Sequence, residues 1–200
     1  NVTSFFREAK HFDFLKNVII PQIIKKNDSY VHIWSAGCST GEEPYSIAMT
    51  INENLENYKN YNIKILATEL STSALNSAKE GTYRQDKLNN INPIFKDKYF
   101  NHKKNEKNGI VFYQVKDFLK DMIRFCYFNL IDRNWSFNKY FDVIFCRNVM
   151  IYFDRKTQET LINRFIEYLK PGGYLFVGHS ESLTGIKNNL KYIEATIYKK

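Results

Sequence analysis

The amino-acid sequence predicts an α/β protein, a mostly parallel sheet with helices on both faces and a small inserted antiparallel β-subdomain. Short apolar runs alternate with segments of helical periodicity. A glycine-bearing loop joins the first run to the first long helical pattern, and the alternation breaks once, over residues 82–121, before it resumes.

With 200 residues, 44% apolar and 16% aromatic, the chain can bury one sizeable core. Its length argues for one domain over 1–200 with the insertion inside it. A helical start is predicted from Ser4 to Lys16 and on to Ile24, followed by a buried strand, Tyr30–Trp34. The loop Ser35–Gly41 then enters a helix whose early Glu42, Glu43 and Pro44 mark its first turn and whose Ile47, Ile51 and Leu55 recur every four residues. Ile63–Ala67 is the second strand, ending at Thr68-Glu69, and Ser71 or Thr72 caps a helix carrying Leu75 and Ala78. The insertion holds a strand-like Ile110–Val115 behind a lysine-rich loop, Lys103–Asn108. Strands follow at Ile123–Phe128 and Phe141–Cys146. A helix then places Leu161, Ile162, Phe165, Ile166 and Leu169 on one side, and Lys170-Pro171-Gly172-Gly173 stops it. Tyr174–Val177 and Ile193–Tyr198 supply the last strands.

Several classes are disfavoured. No apolar run approaches the roughly 18 residues of a membrane span, and the first ten residues lack the apolar core of a signal peptide, so a soluble cytoplasmic protein is expected. Cys38, Cys126 and Cys146 are odd in number and widely spaced, fitting neither a disulfide framework nor a zinc site; they read as reduced and structural. The net charge of +8 suits an anionic partner without naming one. The chain begins with Asn, so it reads as a piece of something longer.

In open sheets of this kind ligands bind beyond the carboxyl ends of the strands. Gly37, Glu69, Asn129 and Arg147-Asn148 each follow an apolar run. The Gly37-x-x-x-Gly41 loop lets backbone approach a nucleotide-like ligand, although a plain tight turn has the same pattern. It is not a phosphate loop, since no Gly-Lys-Ser/Thr follows and Glu42 and Glu43 would repel phosphate. Glu69 at the end of the second strand can accept hydrogen bonds from ribose hydroxyls. With the glycine loop it favours adenosine without phosphates, hence S-adenosylmethionine, whose cationic sulfonium Glu43 would stabilise; helix capping is the equal alternative for Glu43.

Four stretches carry a resemblance. Asn1-Val2-Thr3-Ser4-Phe5-Phe6-Arg7-Glu8, Trp34 through Ser46, Phe145 through Asp154, and Gly178-His179-Ser180-Glu181-Ser182 together resemble, in order, the chemotaxis receptor methyltransferases of the CheR family, with a Rossmann-like class I S-adenosylmethionine methyltransferase fold. The resemblance implies that Asn1, Thr3 and Arg7 contact the cofactor, Arg7 near the methyl donor. It further implies that Glu43 holds the methionine part and Glu69 the ribose, where the family usually has aspartate. Asn129-Leu130 would lie beside the adenine, Arg147-Asn148 would line the cofactor, and Tyr152 would stand near the transferred methyl. Arg7 and Tyr152 are thus the implied catalytic residues. The family's N-terminal helical domain is absent from this chain, and its inserted subdomain in some members grips a receptor's C-terminal peptide.

The reaction this implies is attack by a receptor glutamate oxygen on the sulfonium methyl, giving a methyl ester and S-adenosylhomocysteine. A glutamate is ionised at neutral pH, so no general base is needed, and no metal is expected. The implied partner is the cytoplasmic domain of methyl-accepting chemotaxis receptors, met transiently by a monomer that does not insert into the membrane. A nucleic-acid methyltransferase suits the charge, but such enzymes place an Asn/Asp-Pro-Pro-aromatic segment where this chain has Arg147-Asn148-Val149-Met150, so no nucleic acid is expected. A cofactor-binding module without turnover is the remaining alternative. His11, His32, His102 and His179 are dispersed, and His179 reads as structural before catalytic.

Overall fold

The computed structural model describes residues 3–26, 30–56, 58–104 and 109–200. Asn1 and the middle of the lysine-rich loop, residues 105–108, lie outside them. In chain order the elements are α1 (Ala9–Phe14), continued by a π-helical stretch Leu15–Ile19 into α2 (Ile20–Lys26), β1 (Tyr30–Ala36), α3 (Glu42–Asn54), β2 (Asn62–Glu69) and α4 (Thr72–Glu80). Next come β3 (Thr82–Arg84), α5 (Pro93–Tyr99), β4 (Phe100–Lys104), β5 (Val111–Val115), α6 (Asp117–Lys120), β6 (Ile123–Tyr127), β7 (Phe141–Cys146), α7 (Arg155–Tyr168), β8 (Leu169–Val177), β9 (Lys191–Glu194) and β10 (Ile197–Lys199).

The seven-stranded sheet has the order β6-β2-β1-β7-β8-β10-β9. The pairs β6–β2, β2–β1, β1–β7 and β7–β8 are parallel, and β10 runs antiparallel between β8 and β9. Strand order reverses at β1, whose successor β2 lies on one side and β7 on the other, so the crevice beyond β1 and β7 is the topological switch point. β1 is buried on both faces, which is why it reads as a continuous apolar run. Successive side chains serve opposite cores: Ile33 and Phe145 pack with Tyr45 and Ile47 of α3, whereas Trp34 and Ile144 pack with Leu161, Ile162 and Phe165 of α7. Trp34 anchors the second core, its ring meeting Phe128, Trp135, Phe137, Phe141 and Phe165 at centroid distances of 4.8–5.8 Å.

Residues 82–115 contain a separate antiparallel sheet, β3-β5-β4. It rests on the first core through Tyr83, Tyr99 and Phe100. α5 and β4 were not legible in the sequence; Asn92 caps α5 by accepting from the Ile94 amide, and Pro93 opens it.

Three sequence expectations change. The first helix begins at Ala9, not Ser4, because Phe5 is buried among Tyr83 and Phe100 and the Phe6 amide donates to Ser46 Oγ at 3.0 Å. α7 ends at Tyr168, and Leu169 through Gly173 belong to β8, where Gly173 lies against the Asp142 carbonyl with no room for a Cβ. The last predicted strand is a hairpin of two, broken at Thr196, whose φ is 68°. Cys38 and Cys146 are buried, Cys126 is half-buried, and all three are free thiols.

Candidate active site

A cavity of about 660 Å³ opens at the switch point. Its walls contain Thr3, Arg7, Gly37, Glu43, Glu69, Asn129, Leu130, Arg147, Asn148 and Tyr152. Asn1 lies outside the described residues, so its place is not assigned.

On one side the wall is largely backbone. Gly37, at φ 81°, turns the chain out of β1, and its amide and that of Cys38 donate to the Thr68 carbonyl at 2.8 and 2.9 Å. A Cβ on Gly37 would stand 2.4 Å from Val149 Cγ2, so the position demands glycine twice, for φ and for space. Glu69 ends β2 and accepts the Ser39 amide on Oε2 and the Leu70 and Ser71 amides on Oε1, each at 2.9 Å. Oε1 is thereby filled, and Oε2 keeps one lone pair toward the cavity. Asn129 is tied to its own turn: its Nδ2 donates to Asp132 at 3.0 Å and its Oδ1 accepts the Ile131 amide at 3.1 Å. Leu130 is buried in the second core, so this segment offers backbone and the flanks of Phe128 and Ile131 to a flat ring.

The opposite side is a network of buried charges. Arg147, 6% exposed, follows β7. Its Nη1 donates to Glu43 at 2.9 Å, its Nε and Nη2 reach Glu8 Oε2 at 3.3 and 3.1 Å, and its Nη2 also donates to the Arg7 carbonyl. Four of its five N–H donors are engaged within the protein, so Arg147 shapes the cavity wall largely by holding others. Glu43 also accepts from Ser35 Oγ at 2.7 Å. Burial pushes the Glu43 carboxyl above the ordinary range while Arg147 pulls it back. For Glu8 burial is outweighed by Arg147 and by hydrogen bonds from the His179 amide and Asn148, and its carboxyl is held below the ordinary range.

Arg7 sits between two residues of left-handed backbone, Phe6 (φ 52°) and Glu8 (φ 58°). Each costs on the order of 1–2 kcal/mol, and charge-assisted hydrogen bonds of roughly 1.5–3 kcal/mol each at Glu8 offset the strain. The strained turn presents the Arg7 guanidinium to the cavity, where Nη2 donates to Asn148 Oδ1 at 3.0 Å. Behind it, buried His11 lies 2.6 Å from Thr196 Oγ1. On the other side of the ring, His11 Nδ1 lies 3.5 Å from Glu8 Oε2. Burial, then the Arg147 charge, lower the His11 pKa to about 3, so the ring is neutral. Ligand-type atoms of Glu8, His11 and His179 lie within 4.8 Å of one another, but Arg147 already supplies the positive charge at Glu8 and disfavours a cation there.

Sequence reasoning singled out neither Glu8, His11 nor Glu181. Glu8 and Glu181 fall within recognised motifs and His11 just after one, but their roles depend on partners brought by the fold, His179 and Asn148 for Glu8, Thr196 for His11, and the amides of residues 148–150 for Glu181.

A parallel sheet that reverses order at its first strand, closed by one antiparallel strand near its edge, with a glycine turn and an acid at the switch point, defines a class I S-adenosylmethionine methyltransferase domain. The solved DszA carbon methyltransferase shares the fold: TM-score 0.52 at 11% identity, covering 84% of this chain and 35% of that one. The family model described as "CheR methyltransferase, SAM binding domain" matches residues 1–199. A chemotaxis protein methyltransferase of Borreliella burgdorferi is 51% identical over 205 residues, taking in 100% of this chain and 70% of that one. One from Escherichia coli is 38% identical over 198 residues, 99% of this chain and 66% of that one. The chain belongs to the CheR methyltransferase family and comprises its S-adenosylmethionine-binding domain.

Proposed function

We propose that this chain methylates glutamate side chains on the cytoplasmic domain of methyl-accepting chemotaxis receptors, producing glutamate methyl esters in the cytoplasm. The observation that carries the reading is the pairing of a cofactor-sized cavity with Arg7 and Tyr152 in its wall, Tyr152 being 68% exposed. The donor set fits S-adenosylmethionine. Glu69 has an acceptor left for the ribose, Phe128 and Ile131 can flank the adenine, Glu43 would take the methionine end, and Thr3 and Asn148 line the same cavity. When bound, the cofactor supplies an electrophilic methyl group on a cationic sulfur.

The acceptor carboxylate needs no base, because it is ionised at neutral pH. Arg7 would bind and orient it by charge, and Tyr152 by its hydroxyl, so that catalysis is mainly positioning and electrostatic. The chain would meet receptors from the cytoplasmic side as a monomer; no helix among the described residues is long and apolar enough to cross a membrane.

The test is transfer of labelled methyl from S-adenosylmethionine to receptor cytoplasmic fragments, using this chain and a version extended at its N-terminus, with RNA as control. Base-labile label on receptor alone is expected. Base-stable label on RNA, or cofactor binding with no transfer from either form, overturns the reading.

A further inference from the structure

Tyr152 is exposed, yet the turn that carries it is anchored from beneath by a side chain with no assigned role. Glu181, 6% exposed, follows β8 and points back under the residues after β7. Its Oε1 accepts the amides of Val149 and Met150 at 2.8 and 2.6 Å. Its Oε2 accepts those of Asn148 and Gly178 at 2.7 and 2.6 Å. All four partners are backbone donors, and three are consecutive.

Those three amides belong to the turn where the chain leaves β7. Asn148 there adopts φ 59°, which lets its side chain accept from Arg7, and Met150–Tyr152 forms the single 3₁₀ turn that delivers Tyr152. Gly178 leaves the space the carboxylate needs, since a Cβ on it would lie 2.8 Å from Glu181 Oε2. The far end of the turn is held separately, by Gln158 Nε2 donating to the Met150 and Phe153 carbonyls at 2.9 and 3.1 Å.

We propose that Glu181 is a positioning residue for methyl transfer: it acts through Asn148 and Tyr152 and sets the acceptor end of the cleft without touching cofactor or substrate. This rests on the reading above that Tyr152 works on the acceptor. A carboxylate is required, because the amide nitrogen of glutamine would face two of the four N–H groups donor to donor.

The experiment compares wild type, E181Q, Y152F and the double variant. Two readouts are kinetic, kcat on receptor fragments and the Kd for S-adenosylhomocysteine, and a third is amide hydrogen exchange. In E181Q the amides of Asn148, Val149 and Met150 should lose protection while those of Gly37 and Cys38 keep theirs. kcat should fall on the order of 10²-fold, while Kd, to which Asn148 and Val149 also contribute, should weaken by less than about tenfold. The Y152F effect should shrink in the E181Q background, because both changes remove the same alignment.

Unchanged exchange at 148–150 overturns the proposal whatever the substrate proves to be. So do parallel losses of kcat, Kd and melting temperature with additive mutant effects, the pattern of a merely structural residue. If E181Q does not fold, E181D, which keeps the charge but draws the carboxylate back by one methylene, carries the same expectations and the same overturning results. A wild-type chain that makes no receptor ester counts against the glutamate reading, and the exchange result still decides the role of Glu181.

Discussion

The wall of the cleft reached from β1 and β2 and the wall reached from β7 face the same cavity but are held in different ways. On the first, glycine backbone, short amide contacts and one carboxylate accepting three amides tie the loop after β1 to the end of β2 largely through backbone. On the second, Arg147 joins Glu8 and Glu43 from two other elements, and Glu181 reaches back from beyond β8. The first wall is cheap to specify and suits a ligand that is the same in every turnover. Both walls hold residues of positive φ, Ser39 on the first and Asn148 on the second, but buried charge is concentrated on the second, the condition under which electrostatic preorganisation is most effective.

Removing Arg147 tests the contrast most severely. Arg147→Ala leaves two half-buried carboxylates, Glu8 and Glu43, without their shared cation, and should cost about 3–5 kcal/mol in urea unfolding. A loss below about 1 kcal/mol, the worth of a surface pair, would show that the second wall is not held by charge. Gly37→Ala attacks the first wall. The clash with Val149 and the positive φ should weaken S-adenosylhomocysteine binding by about tenfold or more in calorimetry, equivalent to roughly 1.4 kcal/mol or more. Unaltered binding would show that the glycine turn does not shape the cofactor side.

The smallest effect is a pH dependence. His11 is neutral when folded, with a pKa lowered to about 3 from 6.5, so the unfolded chain binds the extra proton between those values. Stability from this group is therefore present above pH 6.5 and is lost as pH falls toward 3, at a slope of at most about 1.4 kcal/mol per pH unit. Glu8, held low, adds a loss of the same sign beneath its unfolded value of 4.5, while Glu43, held high, works the other way above 4.5. The His11 contribution begins near its unfolded value of 6.5, the end of the range farthest from the unfolded carboxylate value of 4.5. His11→Gln should flatten the urea-midpoint profile there, and an unchanged slope would remove the histidine from the account.

Local pattern made much of this protein readable. The apolar runs that became β1, β2, β6 and β7 alternate with helical spacing, and a ligand at the switch point follows from that order. Gly37 and Glu69 stand out because a turn and a strand end impose their demands within a few residues. Less was legible where the demand comes from afar. The first helix starts late because Phe5 packs on Tyr83, and Leu169 leaves the helix for β8 because that strand pairs with β7. By itself the sequence determined the alternating elements, the position of the glycine turn and the motifs of the family, since periodicity, capping and φ preferences act over a turn or two of chain. Only the tertiary structure decided that Arg147 is spent on Glu8 and Glu43, that Glu69 has one acceptor left, and that Glu181 underlies the Tyr152 turn. Hydrogen-bond capacity is settled by which groups meet across the fold, and residues more than 100 apart in the chain meet only after the sheet has brought them together.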